Sequence, residues 1–184
     1  KEILPQNKII VYSDSDKDAV DVADRFVNSG YEDVSVYADF QHEWMINPNL
    51  PMQKLGRFKH LVSAKWVNQL LNGEKPIHYD NNKFVIVHAH YRNRDAYLSG
   101  HIPGAIDINT NDLESEETWN RRSPEELKET LEAHGITSDT TVIMYGKYMH
   151  PKNEDAFPGS AAGDIGAIRC AFIMMYAGVK DVRV

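Results

Sequence analysis

The 184-residue chain contains a single cysteine, Cys170. One thiol cannot form an internal disulfide, and it cannot build the thiolate zinc sites that need several cysteines. The chain also lacks an apolar run near the ~20 residues of a membrane-spanning helix. Its Lys and Arg residues form no cluster of the kind that binds nucleic acid. With a formal net charge of −7, the composition excludes nucleic-acid binding and membrane spanning and indicates a globular protein with an acidic surface.

A strand–loop–helix–strand pattern occurs twice in the chain. Ile9–Ser13 aligns on Val142–Gly146, and Gly30–Val36 aligns on Gly178–Val184. The two copies differ in the loop between strand and helix, which is longer in the second copy. In an open α/β sheet, such a loop at the carboxyl end of a strand usually carries ligands and catalytic groups. The repeat therefore indicates where any functional site should lie.

Strands that alternate with helices predict an α/β fold with a parallel sheet flanked by helices. The predicted strands are Lys8–Tyr12, which looks buried, Val34–Tyr37, Phe84–Val87, Thr141–Tyr145 and Val182–Val184. An apolar stripe predicts that the first helix packs on a sheet through Ala19, Val22, Ala23, Phe26 and Val27. Ser63 is a predicted helix cap, and Ser123–Glu126 reads as a capping box.

Composition along the chain predicts two repeats of unequal completeness. Residues 1–46 read as the C-terminal half of one repeat, 47–60 as a Pro- and Gly-containing linker, and 61–184 as a second repeat without its closing segment. A sheet that ends on its last strand would leave an edge or an apolar face uncovered. We therefore interpret the chain as a fragment of a longer protein.

The segment Tyr97–Ala105, an aromatic residue before Gly-His-Ile-Pro-Gly-Ala, resembles the signature of the rhodanese family. Leu61–Trp66 resembles the start of a rhodanese domain, and Trp44 matches the tryptophan that often closes one. Residues 61–184 are similar to the middle repeat of bacterial three-repeat thiosulfate sulfurtransferases. The resemblance implies tandem rhodanese-like domains that transfer sulfur from thiosulfate to a thiophilic acceptor through a cysteine persulfide.

In this family the cysteine begins the loop after the central strand, and the matching positions here are Ser13 and Gly146. Neither residue can form a persulfide. In the first copy, Asp14, Asp16 and Asp18 would repel a doubly negative donor. In the second copy, the loop 147–162 is too long for a tight cradle. The resemblance therefore implies no catalytic residue within this chain.

Other chemistry-bearing side chains carry weaker hypotheses. Cys170 lies in an apolar helix and is predicted to be a buried core cysteine rather than a reactive thiol. The family resemblance makes Arg92 the candidate substrate-binding residue. His88 and His90 share one face of a strand end, which is either half a metal site or two satisfied polar histidines. We predict no metal and no cofactor. His101 is interpreted as a turn residue, and Lys147, Tyr148 and His150 belong either to a ligand or partner loop or to a solvated one.

Two main functions follow as hypotheses. In the first, the whole protein is a thiosulfate sulfurtransferase whose catalytic cysteine lies in a further repeat, with thiosulfate or another sulfur donor and possibly a protein acceptor as partners. In the second, the chain is a non-catalytic rhodanese-like module that binds a partner protein or a small anion. A histidine-dependent metal site is a third hypothesis. The residues at the start of the chain leave the compartment open, and the resemblance favours the periplasm or cell envelope over the cytoplasm.

Overall fold

The computed structural model describes residues 3–47, 49–53, 55–148 and 163–184. The chain divides into two compact units, Lys1–Leu55 and Gly56–Val184. None of the helices in the described ranges combines the length and apolarity of a bilayer-crossing segment.

The first unit contains two parallel strands and one helix. Strand β1 (Ile9–Val11) pairs with strand β2 (Val34–Val36), and helix α1 (Asp16–Asn28) connects them. Ser15 caps α1, because its hydroxyl accepts a hydrogen bond from the Asp18 backbone N–H at 3.4 Å.

Two expectations for the first unit are wrong. Helix α1 buries Ala19 and Ala23, whereas Val22 and Val27 of the predicted stripe are exposed. Strand β1 is not buried, and Ile10 is 58% exposed. The reason is that α1 is the one helix in the described part of this unit, and one helix covers only one face of a sheet, so the face that carries Ile10 stays exposed. In the second unit the aligned residue Ile143 is buried in an apolar cluster with a helix.

The second unit has a four-stranded parallel sheet with strand order β4-β3-β5-β6. The predicted α/β fold, a parallel sheet flanked by helices, is confirmed. After a short 3-10 turn, Phe58–His60, the elements in chain order are α2 (Ala64–Leu71), β3 (Phe84–His90), α3 (Asp95–Ser99), β4 (Ile106–Asn109), α4 (Thr110–Leu113), α5 (Pro124–Ala133), β5 (Thr141–Gly146), α6 (Gly163–Tyr176) and β6 (Asp181–Arg183).

Alternating side chains of β5 place the sheet between two apolar clusters. Val142 and Met144 pack into the larger cluster, which contains residues of α5 and α6. Ile143 and Tyr145 face the smaller cluster, which contains Trp66, Val67 and Leu70 of α2. Both faces of the sheet are therefore covered by helices, and the carboxyl ends of β3 and β5 lie together at one edge.

Helix starts follow the predicted capping chemistry. The Ser63 hydroxyl accepts a hydrogen bond from the Trp66 N–H at 3.2 Å. Ser123 and Glu126 form the expected reciprocal capping box, with Pro124 at the first helical position. Strand β4 and the one-turn helix α4 had no counterpart in the sequence prediction, since both are four residues long and largely polar.

Candidate functional site

The position that carries the family's chemistry lies at the carboxyl end of β5. In the register of the sheet, Gly146 is opposite Ala89 of β3, and Tyr145 is opposite His88. Helix α6 begins at Gly163. Residues 149–162 lie outside the described residues, so the predictions for His150 and for the loop 147–162 stay predictions. Lys147, the residue after Gly146, is buried.

Gly146 is in close contact with the first residue of α6. A Cβ atom built on Gly146 would lie 2.0 Å from the carbonyl oxygen of Gly163 and 2.4 Å from its carbonyl carbon. Real Cβ atoms essentially never approach another heavy atom within 3.0 Å. Because the obstructing atoms are backbone, a side-chain rotation cannot relieve the overlap. The packing of α6 on β5 therefore leaves no room for a side chain at this position.

The matching position in the first unit holds a hydroxyl in a local hydrogen bond. The Ser13 hydroxyl accepts from the Ser15 N–H at 3.4 Å. Asp16, one of the three predicted carboxylates, accepts from the Asp39 N–H at 2.9 Å. These contacts order the turn into α1. A serine hydroxyl also needs an adjacent general base to act as a nucleophile, and its contact here is with a backbone amide.

Cys170 is fully buried in the larger apolar cluster. Burial raises the pKa of its thiol to about 12, and the negative charge of Glu114 adds to the shift. At neutral pH, only about one thiol in 10⁵ is then a thiolate, the form that attacks sulfur. The prediction that Cys170 is a core cysteine is confirmed.

His88 lies in an aromatic environment on the same sheet face as Tyr145. Its ring stacks on Tyr145 with centroids 4.8 Å apart and approaches Tyr97 at 5.7 Å. Neither ring nitrogen has a hydrogen-bond partner in the described structure. Burial lowers the pKa of His88, and the charges of His90 and His101 lower it further, against an opposing effect of Asp107.

His90 differs from His88. Its Nε2 atom lies 3.1 Å from Oδ2 of Asp107, while its Nδ1 atom is buried without a partner. The interpretation of two satisfied histidines is therefore wrong for His88 and half right for His90. Within the described ranges, no group of three or more His, Cys, Asp or Glu side chains is arranged to hold a metal ion.

Arg92 takes part in a surface ion pair. Its Nε donates to Glu116 at 3.1 Å, and its guanidinium lies 4.8 Å from the centre of the Tyr91 ring. Its backbone is in the left-handed region, with φ at 61°, and its N–H donates to Oδ1 of Asn109 at 3.2 Å. These contacts hold the guanidinium against Tyr91 and the turn after α4, whereas the candidate role of Arg92 in substrate binding stays a prediction.

The Gly-His-Ile-Pro-Gly corner is fixed by Tyr97. The Tyr97 hydroxyl donates to the carbonyl oxygen of Ala105 at 2.8 Å. The His101 ring stacks on Tyr97 at 4.0 Å, and its Nδ1 lies 2.9 Å from the Tyr97 carbonyl oxygen. This geometry explains why an aromatic residue precedes the motif, and it agrees with the interpretation of His101 as a turn residue.

The sequence prediction missed an ion pair beside α6 in which the carboxylate is buried and the arginine is partly exposed. Glu114 is buried, and its carboxylate accepts from Nε of Arg169 at 2.8 Å. Arg169 also donates to the Trp119 carbonyl oxygen at 2.9 Å. The pair borders a cavity of about 300 Å³ that is lined in part by Tyr91, Trp119 and Ile165. An arginine within an otherwise apolar helix was the available signal, because such a charge needs a partner.

Comparison with known proteins identifies the family. The model of the rhodanese-like domain matches residues 63–182, and the chain belongs to this family. It is 37% identical over 169 residues to the thiosulfate sulfurtransferase YnjE of Escherichia coli K12, which covers 92% of this chain and 34% of that protein.

Solved structures are also similar. One is an anaerobic ergothioneine biosynthesis enzyme from Chlorobium limicola in complex with its natural substrate trimethyl histidine, at 59% identity and a TM-score of 0.70, over 99% of this chain and 43% of that one. Another is a variant of EanB with a cysteine persulfide in a tetrahedral intermediate state with ergothioneine, at 58% identity and a TM-score of 0.70, over 100% of this chain and 43% of that one. The chain thus spans between a third and a half of these relatives' length.

Proposed function

We propose that this chain is a rhodanese-like repeat without a persulfide-forming residue, within a sulfurtransferase whose catalytic cysteine lies in a further repeat of the same polypeptide. The observation that carries the proposal is the packing at Gly146. A cysteine there would place its Cβ 2.0 Å from the Gly163 carbonyl oxygen.

The chemistry of that contact supports the same proposal. A persulfide anion needs backbone N–H groups and the positive end of a helix. Among the residues that the structure describes, the atom closest to a Cβ at Gly146 is the Gly163 carbonyl oxygen, the negative end of a peptide dipole. Ser13 in the other copy lies among carboxylates, and the buried thiol of Cys170 is protonated at neutral pH. Each of the three candidate positions therefore opposes persulfide formation for its own physical reason.

For the whole protein, we propose transfer through a cysteine persulfide. In thiosulfate transfer, a thiolate attacks the outer sulfur of the donor, the sulfur–sulfur bond of the donor breaks, and sulfite leaves. As the acceptor we propose a trimethylated histidine: a ring carbon would bond the outer sulfur of the persulfide, the sulfur–sulfur bond would break to return the cysteine thiolate, and the ring carbon would lose its proton. The 58–59% identity to enzymes solved with trimethyl histidine or ergothioneine exceeds the 37% identity to the thiosulfate sulfurtransferase. A protein acceptor and a periplasmic or cell-envelope location remain proposals that rest on the family resemblance.

The second candidate is a non-catalytic rhodanese-like module that binds a partner protein or a small anion. If the full polypeptide has no catalytic repeat, the packing at Gly146 favours this binding module. The two candidates differ in one property, the gain of a transferable sulfur atom.

The test is an intact mass of the full polypeptide before and after treatment with thiosulfate or polysulfide. The proposal expects a gain of one sulfur atom that cyanide removes as thiocyanate. Incubation of the loaded protein with trimethyl histidine should then give ergothioneine, detected by mass spectrometry. A full polypeptide that gains no sulfur from either donor would support the binding module instead.

A further inference from the structure

Helix α6 is apolar on two sides. Its inner side packs on the sheet through Ala167, Cys170, Ala171 and Met174. Its outer side carries a second apolar row, with Ile165 74%, Ile168 41%, Phe172 62% and Tyr176 55% exposed. These four residues are three or four positions apart, so they share one face. A contiguous apolar row on the outer side of a helix often marks an interaction surface.

Residues outside the helix extend this row. Trp119 is largely exposed, and Arg169 on the same helix donates to its carbonyl oxygen. The guanidinium of Arg121 lies 3.9 Å from the centre of the Tyr176 ring. We call Trp119, Ile165, Ile168, Phe172 and Tyr176 the outer α6 patch. With ~150–250 Å² per aromatic side chain, the patch exposes on the order of 500 Å². Exposed patches of this size are often functional.

The internal repeat supplies a comparison within the same chain. Continuing the alignment of Gly30 on Gly178 into the helices pairs the buried residues Ala19 and Ala23 of α1 with the buried residues Ala167 and Ala171 of α6. The inner faces are therefore alike.

The outer faces differ. The positions of α1 that match Ile165, Ile168, Phe172 and Tyr176 are Lys17, Val20, Asp24 and Asn28. Three of these four are polar, as expected for a face in water. Since the same helix of the repeat folds with a polar outer face, the fold itself does not require an apolar one. The fold of the repeat therefore does not explain why the outer α6 patch is apolar.

We propose that the outer α6 patch is the docking surface for a further rhodanese-like repeat of the same polypeptide; this rests on the proposed function, which places such a repeat outside this chain. The size of the patch favours a linked repeat over a second copy. A stable complex of separate chains buries ~800 Å² on each partner. A tethered repeat has an effective concentration of about millimolar and needs less area.

The length of the relatives and the charge of Arg121 both agree with a further repeat as the partner of the patch. The chain covers 43% of the structural relatives and 34% of the E. coli protein, so those proteins have length for at least one more repeat. Arg121, at the end of the patch, fits a docked surface that is apolar with a carboxylate at its rim.

The experiment is hydroxyl-radical footprinting of the full polypeptide, with oxidation of Phe172 and Tyr176 read by mass spectrometry. Ile168→Glu places a charge in the patch. Val20→Glu is the matched control, because Val20 occupies the same repeat position on α1 and is 45% exposed against 41% for Ile168. We expect Ile168→Glu to raise the oxidation rate of Phe172 and Tyr176 several-fold, and Val20→Glu to leave it unchanged. Amide exchange of β5 reports whether Ile168→Glu is folded, and amide exchange of α1 reports the same for Val20→Glu.

Equal oxidation of Phe172 in the wild type and in folded Ile168→Glu would overturn the proposal, since the patch would then be open in the intact protein. Protection that disappears on dilution, together with a dimeric mass in light scattering, would assign the patch to a second copy and would overturn it as well. Sulfur loading is measured on the same samples. A protected patch without sulfur loading would contradict the proposed function and leave the docking surface supported.

Discussion

Replacing Gly146 by cysteine restores the family's nucleophile type at the position where a rhodanese needs it. In this chain the new Cβ would start 2.0 Å from the Gly163 carbonyl oxygen and 3.1 Å from its Cα. The two backbones must separate by about 1 Å or more to restore an ordinary contact. Overpacking of this kind costs about 1–3 kcal/mol. Because both partners are backbone, we expect about 2–3 kcal/mol, near the upper end of that range.

The assay is urea unfolding of wild type and Gly146→Cys, followed by amide exchange of the β5 and α6 peptides, which reports on the second unit alone. Gly56→Cys is the control, since a Cβ at Gly56 meets no atom within 4 Å. We expect the control to change stability by less than ~0.5 kcal/mol. We also expect Gly146→Cys to gain no sulfur at position 146 beyond the one atom that the wild-type polypeptide takes up, as located by peptide mass spectrometry. A Gly146→Cys variant that is as stable as wild type and carries sulfur at position 146 would refute the packing argument.

Three further predictions concern buried groups near α6 and β3. Cys170→Ala should leave sulfur loading of the full polypeptide unchanged while lowering the free energy of unfolding by about 1–2 kcal/mol through a small cavity; intact mass and urea melts measure both. Burial lowers the folded-state pKa of His88, so its contribution to stability is complete above the unfolded pKa of ~6.5 and is lost as the pH falls toward the folded value. His88→Phe, which removes two unsatisfied nitrogens, should reduce the stability difference between pH 7.5 and pH 5 in urea melts, and an unchanged difference would contradict this assignment. Glu114→Gln should lower the free energy of unfolding by about 1–2 kcal/mol in urea melts. This is less than the usual cost of breaking a buried pair, because the Arg169 side chain is 44% exposed. The control is Glu116→Gln, which weakens the exposed pair with Arg92 and should cause no measurable change in the same melts.

Local rules predicted much of the fold from the sequence. Periodicity and capping chemistry act over a few residues, so the cap at Ser63, the box at Ser123 and the central strand β5 were predictable. The repeat also placed Gly146 at the end of a strand, and the structure shows that this strand pairs in parallel with β3. The burial of Cys170 was predictable because most of its neighbours in the helix are apolar.

What the sequence could not predict depends on long-range packing. Burial of Ile10 and Val22 required neighbours that the described part of the first unit does not supply, so a buried-looking pattern is exposed there. His88 packs against Tyr97 and Tyr145, which belong to other elements of the fold, so the lack of a hydrogen-bond partner for its ring in the described structure could not be predicted from its own strand. The partner of Arg169 could not be named for the same reason.

The proximity of Gly163 to Gly146 is a contact across the longer loop of the second copy. No pattern in the sequence reports such a contact. A strand end that merely lacks a cysteine could accept one by substitution, whereas the contact with Gly163 leaves no room for a side chain at Gly146. The sequence therefore predicted the position of the candidate site, and the packing supplied the physical argument for our proposal that no persulfide forms there.

The most direct test of this account is to map the sulfur atom by peptide mass spectrometry in the full polypeptide after treatment with a sulfur donor. The account predicts that the added sulfur lies on a cysteine outside residues 1–184 and that Cys170→Ser does not reduce it. Sulfur found on Cys170, and lost in Cys170→Ser while the protein stays folded, would contradict the account.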